Sequence, residues 1–242
     1  MNSELKTHHP HISVVIPAFN EEKYLPKCLE SLRSQDYPND NYEIIVVDNN
    51  STDGTVKVAE KYGARVIGCQ VQGVSVSRQA GGQAAFGEII AGTDSDTIVA
   101  PNWLSIIEKS FKDPKVAAIT AGAEFHSTGL INKTLAKYGF PFFMQLQFLL
   151  GKPALNGFSF AIKKETFDKI GGFNLKLASA EDVDLGIRAS KEGKVLYVPE
   201  LKVYTSARRM EKSRIKFFWH HFKNIIRFTL LKKDPESFEA VR

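Results

Sequence analysis

Short β-branched runs alternate with amphipathic stretches through the first half of the chain. Ile12 to Ile16, Ile-Ser-Val-Val-Ile closed by Pro17, reads as a core strand. Tyr24, Leu25, Cys28, Leu29 and Leu32 then recur at helical spacing, and Pro26 must lie in the first turn because it has no N–H. Tyr42 to Val47 is a second strand. Asp53 is placed to cap a helix from Gly54 to Tyr62, and Ala64 to Gly68 is a third strand. Gly73 to Ala85 has helical composition despite Gly81-Gly82. Glu88 to Thr93 is a fourth strand, Pro101 opens a helix carrying Trp103, Leu104, Ile107 and Phe111, and Val116 to Ala121 is a fifth strand. This β-α-β order predicts an α/β fold, a Rossmann-like, mainly parallel sheet with flanking helices.

The second half has a different texture. Leu130 to Leu150 is apolar and aromatic. Asn156 to Ile162 reads as a strand, Lys164 to Ile170 as a short helix, and Gly171-Gly172-Phe173-Asn174 as a turn. A helix spans Glu181 to Glu192, its leading acids suited to a helix N-terminus. Lys194 to Val198 and Lys202 to Thr205 are short strands. Beyond them Ile215, Phe218, Phe222, Ile225, Ile226 and Thr229 share one stripe, with Lys216, Lys223 and Arg227 on its flank, which predicts a C-terminal amphipathic helical tail. The expected organisation is a half from 1 to 122, a second half of the same domain from 123 to 207, and a basic tail from 208 to 242.

Composition changes this picture in one place. The 242 residues are 43% hydrophobic and 24% charged, ordinary globular values. The net charge is +5, yet Arg208 to Lys233 holds nine Lys/Arg against Glu211, a segment charge of +8 that leaves the remainder at −3. A basic end points to an anionic partner. Cys28 and Cys69 lack disulfide or metal spacing and read as buried reduced thiols. No run of 18 apolar residues exists to span a bilayer, and the first eleven residues lack an apolar signal region.

The candidate chemistry lies where strands end. Asp94-Ser95-Asp96 follows the fourth strand, and the carboxyl ends of strands are where open α/β sheets bind ligands. Mg²⁺ takes one or two carboxylates plus substrate phosphates, so the tripeptide is a candidate metal–diphosphate site; a turn or cap is the other reading. Loops Pro17 to Glu21 and Asp48 to Asp53 also leave strand ends, where Asp48 favours a ligand and Asp53 serves equally as a cap. Arg78 stands among small residues and suits a diphosphate or an aspartate that needs orienting. Glu181-Asp182-Val183-Asp184 is a second acidic cluster, holding caps or a general base. The glycine-rich loops of dinucleotide oxidoreductases and P-loop NTPases are absent, as is a Gly-x-Ser-x-Gly elbow.

Taken in order, these pieces resemble the family 2 glycosyltransferases of the GT-A fold. The resemblance runs from Ile12 to about Arg209, on Val14 to Glu22, Ile45 to Thr55, Asp94-Ser95-Asp96, Gly171-Gly172-Phe173 and Glu181-Asp182. It implies an inverting transferase that moves a single sugar from a UDP- or GDP-sugar. By that resemblance Pro17, Phe19 and Glu21 line the base and ribose, and Asp48 contacts the base. Arg78 approaches the base or diphosphate, Asp94 and Ser95 belong to the nucleotide-sugar site with Asp94 facing the ribose, and Asp96 ligates Mg²⁺ or Mn²⁺. Asp182 is the general base on the acceptor hydroxyl. The stretch Val203 to Arg209 lacks the histidine ligand of many GT-A enzymes; either Arg208 and Arg209 bind the diphosphate instead, or His220 and His221 reach in. The Gln-x-x-Arg-Trp motif of processive synthases is also missing.

The tail points to a peripheral membrane contact through 211–233, with Phe140 to Leu150 as a second contact and packing on the core as the alternative. Membrane contact implies a lipid-linked acceptor, with a saccharide acceptor as the other choice and no nucleic acid. The expected location is cytoplasmic, on the inner face of the cell membrane. A phosphate acceptor is already ionised and needs no base. The alternatives are a nucleotidyltransferase and a non-catalytic module that binds membranes or nucleic acid through the tail.

Overall fold

The computed structural model describes residues 10–126, 139–177 and 179–206. Among the described residues eight strands form one sheet: β1 (Ile12–Ala18), β2 (Tyr42–Asp48), β3 (Arg65–Gly68), β4 (Ile89–Thr93), β5 (Thr97–Val99), β6 (Val116–His126), β7 (Ser159–Lys163) and β8 (Lys194–Ser206). The helices are α1 (Leu25–Arg33), α2 (Thr55–Lys61), α3 (Val74–Ala84), α4 (Trp103–Ser110), α5 (Phe140–Leu149), α6 (Lys164–Lys169) and α7 (Glu181–Ala189).

The strand order is β3-β2-β1-β4-β7-β6-β8-β5. The first four strands are parallel, as the pattern predicts, with Val14 opposite Ile44 on one side and Ala91 on the other. The rest of the sheet is mixed: β6 and β8 pair in parallel, so four of the seven ladders are parallel and the expected arrangement holds. β7 is antiparallel to both β4 and β6, and β5 is antiparallel to β8. The reason is topological. β6 ends at the carboxyl edge, and β7 enters from that same edge, so residues 156–158 arrive beside the ends of β4 and β6.

β5 was not expected from the sequence, and it bends the sheet. β4 and β5 lie four strand spacings apart in the order, about 19 Å if flat. Only Asp94, Ser95 and Asp96 join them, and that span reaches at most about 14 Å. The sheet must therefore curl, with the acidic tripeptide at the mouth of the curl. β8 is one strand rather than two, but its ladder shifts register around Pro199, which has no N–H to give.

Two apolar layers cover the sheet. On one side α1 buries Leu25, Cys28, Leu29 and Leu32 in the layer that holds Ile16, Val46 and Trp103. Each such leucine contributes about 1.5–3 kcal/mol by leaving water. On the other side Val15, Val47, Phe160, Phe167, Phe173 and Leu185 pack together. The two glycines of α3 have a packing role there. A Cβ on Gly81 would collide with Val15 and one on Gly82 with Phe167, so their absence lets α3 lie close on the sheet. Cys28 and Cys69 are both buried free thiols, as expected. No described helix is long and apolar enough to cross a membrane. The expected tail helix and Arg208, Arg209, His220 and His221 lie outside the described residues, as does the apolar stretch before Gly139.

Candidate active site

The loops after β1 and β2 are joined side by side. Asn20 N–H donates to Ser51 Oγ at 2.9 Å, and Asn20 Oδ1 accepts from Thr52 N–H at 2.8 Å. Glu21 N–H donates to Thr55 Oγ1 at 2.8 Å, and Glu22 Oε2 accepts from Gly54 N–H at 2.8 Å. Asn20 and Asn50 adopt left-handed φ angles of 56° and 65°, a conformation that asparagine tolerates better than most residues. Pro17, Phe19, Glu21 and Asp48 thus line one half-buried rim. The Asp48 carboxylate accepts from Ser51 N–H at 3.3 Å. Asp53 acts as a local staple, accepting from Thr55 N–H at 2.9 Å and Glu22 N–H at 3.2 Å.

Asn49 organises the next segment. Its Nδ2 donates to the carbonyls of Cys69 and Val71, both at 2.8 Å, while its Oδ1 accepts from Gly73 N–H at 2.8 Å. Gly73 immediately precedes α3, so this buried amide sets where the helix bearing Arg78 begins.

Arg78 is the centre of the site. Its guanidinium is buried, with a side-chain exposure of 7%. Nη2 donates to Asp94 Oδ1 and Nη1 to Glu181 Oε1, each at 2.7 Å. A Cβ on Gly157 would collide with that guanidinium, so only glycine lets the backbone pass so close. Gly157 N–H in turn donates to Asp182 Oδ2 at 2.8 Å, and Val183 N–H to Asp182 Oδ1 at 2.9 Å. Side chains from α3, from the end of β4 and from the start of α7 therefore meet at one point.

The three acids of α7 face different ways, as helical geometry requires. Glu181 turns inward to Arg78, Asp182 meets Gly157, and Asp184 pairs with Arg188 at 2.6 Å. Ala180, just before them, sits at φ 57°, a left-handed conformation that costs an alanine about 1–2 kcal/mol. Burial and then the charge of Glu181 push the Asp182 carboxyl up to about 6, against the opposing pull of Arg78 and its two backbone donors. A carboxyl held there ionises near neutral pH, which suits proton acceptance.

Asp94 and Asp96 flank buried Ser95 in the turn from β4 to β5. Their negative field reaches Cys28, whose thiol donates to Asp94 O at 3.5 Å. Burial, then Asp94 and Asp96, hold that thiol far above its usual range, so it is inert. Among the described residues no group of three His, Cys, Asp or Glu side chains could enclose a metal. Two carboxylates in one turn do fit a hard cation that brings most of its oxygen ligands with a diphosphate.

Sequence reasoning placed Pro17, Phe19, Glu21, Asp48, Arg78, Asp94, Ser95, Asp96 and Asp182, and all lie along the carboxyl edge or the mouth of the curl. It missed Glu181 as the partner of Arg78, Gly157 as its floor, and Asn49 as the clamp on α3. An acid next to a candidate base marked Glu181 in the sequence, but not its burial or its partner; nothing in the sequence marked Gly157.

The family model described as glycosyl transferase family 2 matches residues 13–171. The chain belongs to that family. The match contains both strand-end loops, Arg78 and Asp94-Ser95-Asp96, and ends before Glu181-Asp182. Glycosyltransferase AglE of Haloferax volcanii is 28% identical over 192 residues, 76% of this chain and 62% of that protein. A beta-monoglucosyldiacylglycerol synthase of Nostoc is 28% identical over 200 residues, covering 76% of this chain and 42% of the relative. The mannosyltransferase PcManGT from Pyrobaculum calidifontis, solved in complex with GDP-Man and Mn²⁺, superposes with a TM-score of 0.69. It is 21% identical and covers 91% of this chain and 65% of that one, so the likeness establishes the fold. The chain spans less than two thirds of the length of each of these proteins.

Proposed function

We propose that this chain is an inverting, metal-dependent glycosyltransferase that moves one sugar from a UDP- or GDP-sugar to a lipid-linked or cell-envelope glycan acceptor. The observation that carries the reading is the buried Arg78, which ties Asp94 on the donor side to the Glu181-Asp182 pair at 2.7 Å contacts. Pro17, Phe19, Glu21 and Asp48 lie on the rim where the base and ribose would rest, with Asp94 facing the ribose and Ser95 beside it. Asp96 would hold Mg²⁺ or Mn²⁺ together with the diphosphate, and when bound the cation neutralises charge on the leaving group.

Asp182 supplies the proton chemistry. Its carboxylate takes the proton of the acceptor hydroxyl while that oxygen bonds to the anomeric carbon. The bond from that carbon to the diphosphate oxygen breaks on the opposite face, and the nucleoside diphosphate leaves with the electron pair. The configuration inverts because attack and departure occur on opposite faces. The Gly157 and Val183 amides fix both oxygens of the base, so it meets the acceptor in one orientation.

A lipid-borne acceptor is supported by the basic amphipathic sequence of 211–233 and by a relative that is named a glucosyl-lipid synthase. The corresponding location is cytoplasmic, peripheral on the inner face of the cell membrane. A thermal-shift panel of UDP- and GDP-sugars with Mn²⁺ tests the donor. A ligand at 100 times its Kd stabilises by about 2.7 kcal/mol, and a flat panel argues against the proposal.

A further inference from the structure

Glu181 takes no part in the steps above, yet it is the most deeply buried acid of its cluster. A helix N-terminus rewards an acid in its first turn wherever that acid points. Glu181 points away from solvent, at a guanidinium that already holds Asp94. The ion pair joins residues 103 positions apart, on α3 and α7. Gly157 closes the arrangement, lying against the guanidinium on one side and donating to Asp182 on the other.

We propose that Glu181 is a positioning residue: it locks the Arg78 guanidinium against Gly157, and the locked cation orients Asp94 and fixes the charge felt by Asp182. One bolt then aligns the donor-side and acceptor-side carboxylates. The catalytic consequence rests on Asp182 being the base; the lock itself does not.

The chemistry follows from the two termini of one guanidinium. Arg78 presents a planar fork, and each of its end nitrogens is engaged by a different carboxylate. With Nη1 held by Glu181, the fork cannot swing away from Asp94. Among the described residues the charged groups acting on Asp182 are Glu181, beside it on α7, and Arg78, from α3; the Gly157 and Val183 amides face it as donors. Glu181 raises its proton affinity and Arg78 lowers it. A lone buried carboxylate without Arg78 would be expected to draw a proton instead of remaining ionised.

The test is spectroscopic and uses the full chain. Aspartate carboxyl carbons and arginine side-chain nitrogens are isotope-labelled in wild type, Glu181→Gln and Glu181→Ala. Resolved, slowly rotating Nη protons of Arg78 are expected in wild type and lost in Glu181→Ala. Glu181→Gln keeps an oxygen for Nη1 but removes the charge, so Arg78 stays resolved while the Asp182 titration moves down by on the order of 1 pH unit. Arg78 signals that survive Glu181→Ala overturn the proposal. So does an unmoved Asp182 titration in Glu181→Gln, which is the decisive arm should the alanine variant fail to fold. Turnover by Asp182→Asn is measured alongside: an unimpaired rate would remove the base assignment and leave the two spectroscopic outcomes to judge the lock.

Discussion

Arg78 Nη2 and Asp94 Oδ1 lie 2.7 Å apart, joining the middle of α3 to the end of β4. The same guanidinium holds Glu181, so removing it strands one buried carboxylate and one half-buried one. Breaking a buried pair by deleting one partner costs about 3–5 kcal/mol. Arg78→Ala is therefore expected to lower stability by about that amount in urea denaturation. A loss within about 1 kcal/mol would mean that the cluster relaxes into solvent and is not the centre of the fold at this edge.

Gly157 is a position at the site that is sensitive to a small change. Alanine there places a methyl group on the Arg78 guanidinium and displaces the amide that holds Asp182. A misplacement of about 1 Å in a reacting group can lower the rate on the order of 10²-fold. Steady-state kinetics of Gly157→Ala should show that fall in kcat, with donor KM changed far less. Wild-type kcat would show that Asp182 is not held through this amide.

The pH profile distinguishes two kinds of acceptor. Asp182 is held at about 6, above the ordinary aspartate value of 3.8, by burial and by Glu181. Below that pH it is protonated and cannot accept a proton; above it, it is ionised. For a hydroxyl acceptor, kcat/KM should rise tenfold per pH unit below about 6 and level off above. Asp182→Asn should cost roughly 10²–10⁴-fold. A phosphate acceptor needs no base, and a profile flat through pH 6 with an active Asp182→Asn would identify one.

Deleting residues 211–242 separates membrane contact from chemistry. Each Lys or Arg near an anionic leaflet contributes about 1 kcal/mol, and salt screens that attraction. The full chain should sediment with vesicles containing anionic lipid at low salt and release at high salt. The shortened chain should remain in the supernatant. Equal sedimentation of both would assign any membrane contact elsewhere, with Phe142, Leu146 and Leu149 of α5 exposed and available.

Local pattern made the parallel strands and their strand-end loops readable, because buried β-branched runs and turn residues are local signals. β5 escaped because three residues carry no period. The antiparallel entry of β7 escaped because strand direction depends on the edge from which the chain enters, not on the strand's own composition. At the site, Asp94, Asp96 and Asp182 were legible as acids in telling places. The ion pair between Arg78 and Glu181 was not, since it joins positions 103 residues apart and only the folded chain brings them together. Asn49 read as one more turn residue, although its amide makes three hydrogen bonds that place α3.

The central claim is transfer from a nucleotide-sugar at the Asp94-Ser95-Asp96 turn. Its most direct test is nucleoside diphosphate release from UDP- and GDP-sugars with Mn²⁺, using polyprenyl-phosphate and saccharide acceptors, by wild type and Asp96→Ala. Wild type should turn over one donor class, and Asp96→Ala should lose on the order of 10²-fold or more, the scale of removing one electrostatic stabiliser of the leaving group. Equal rates for the two proteins, or pyrophosphate release from a nucleoside triphosphate instead, would contradict it.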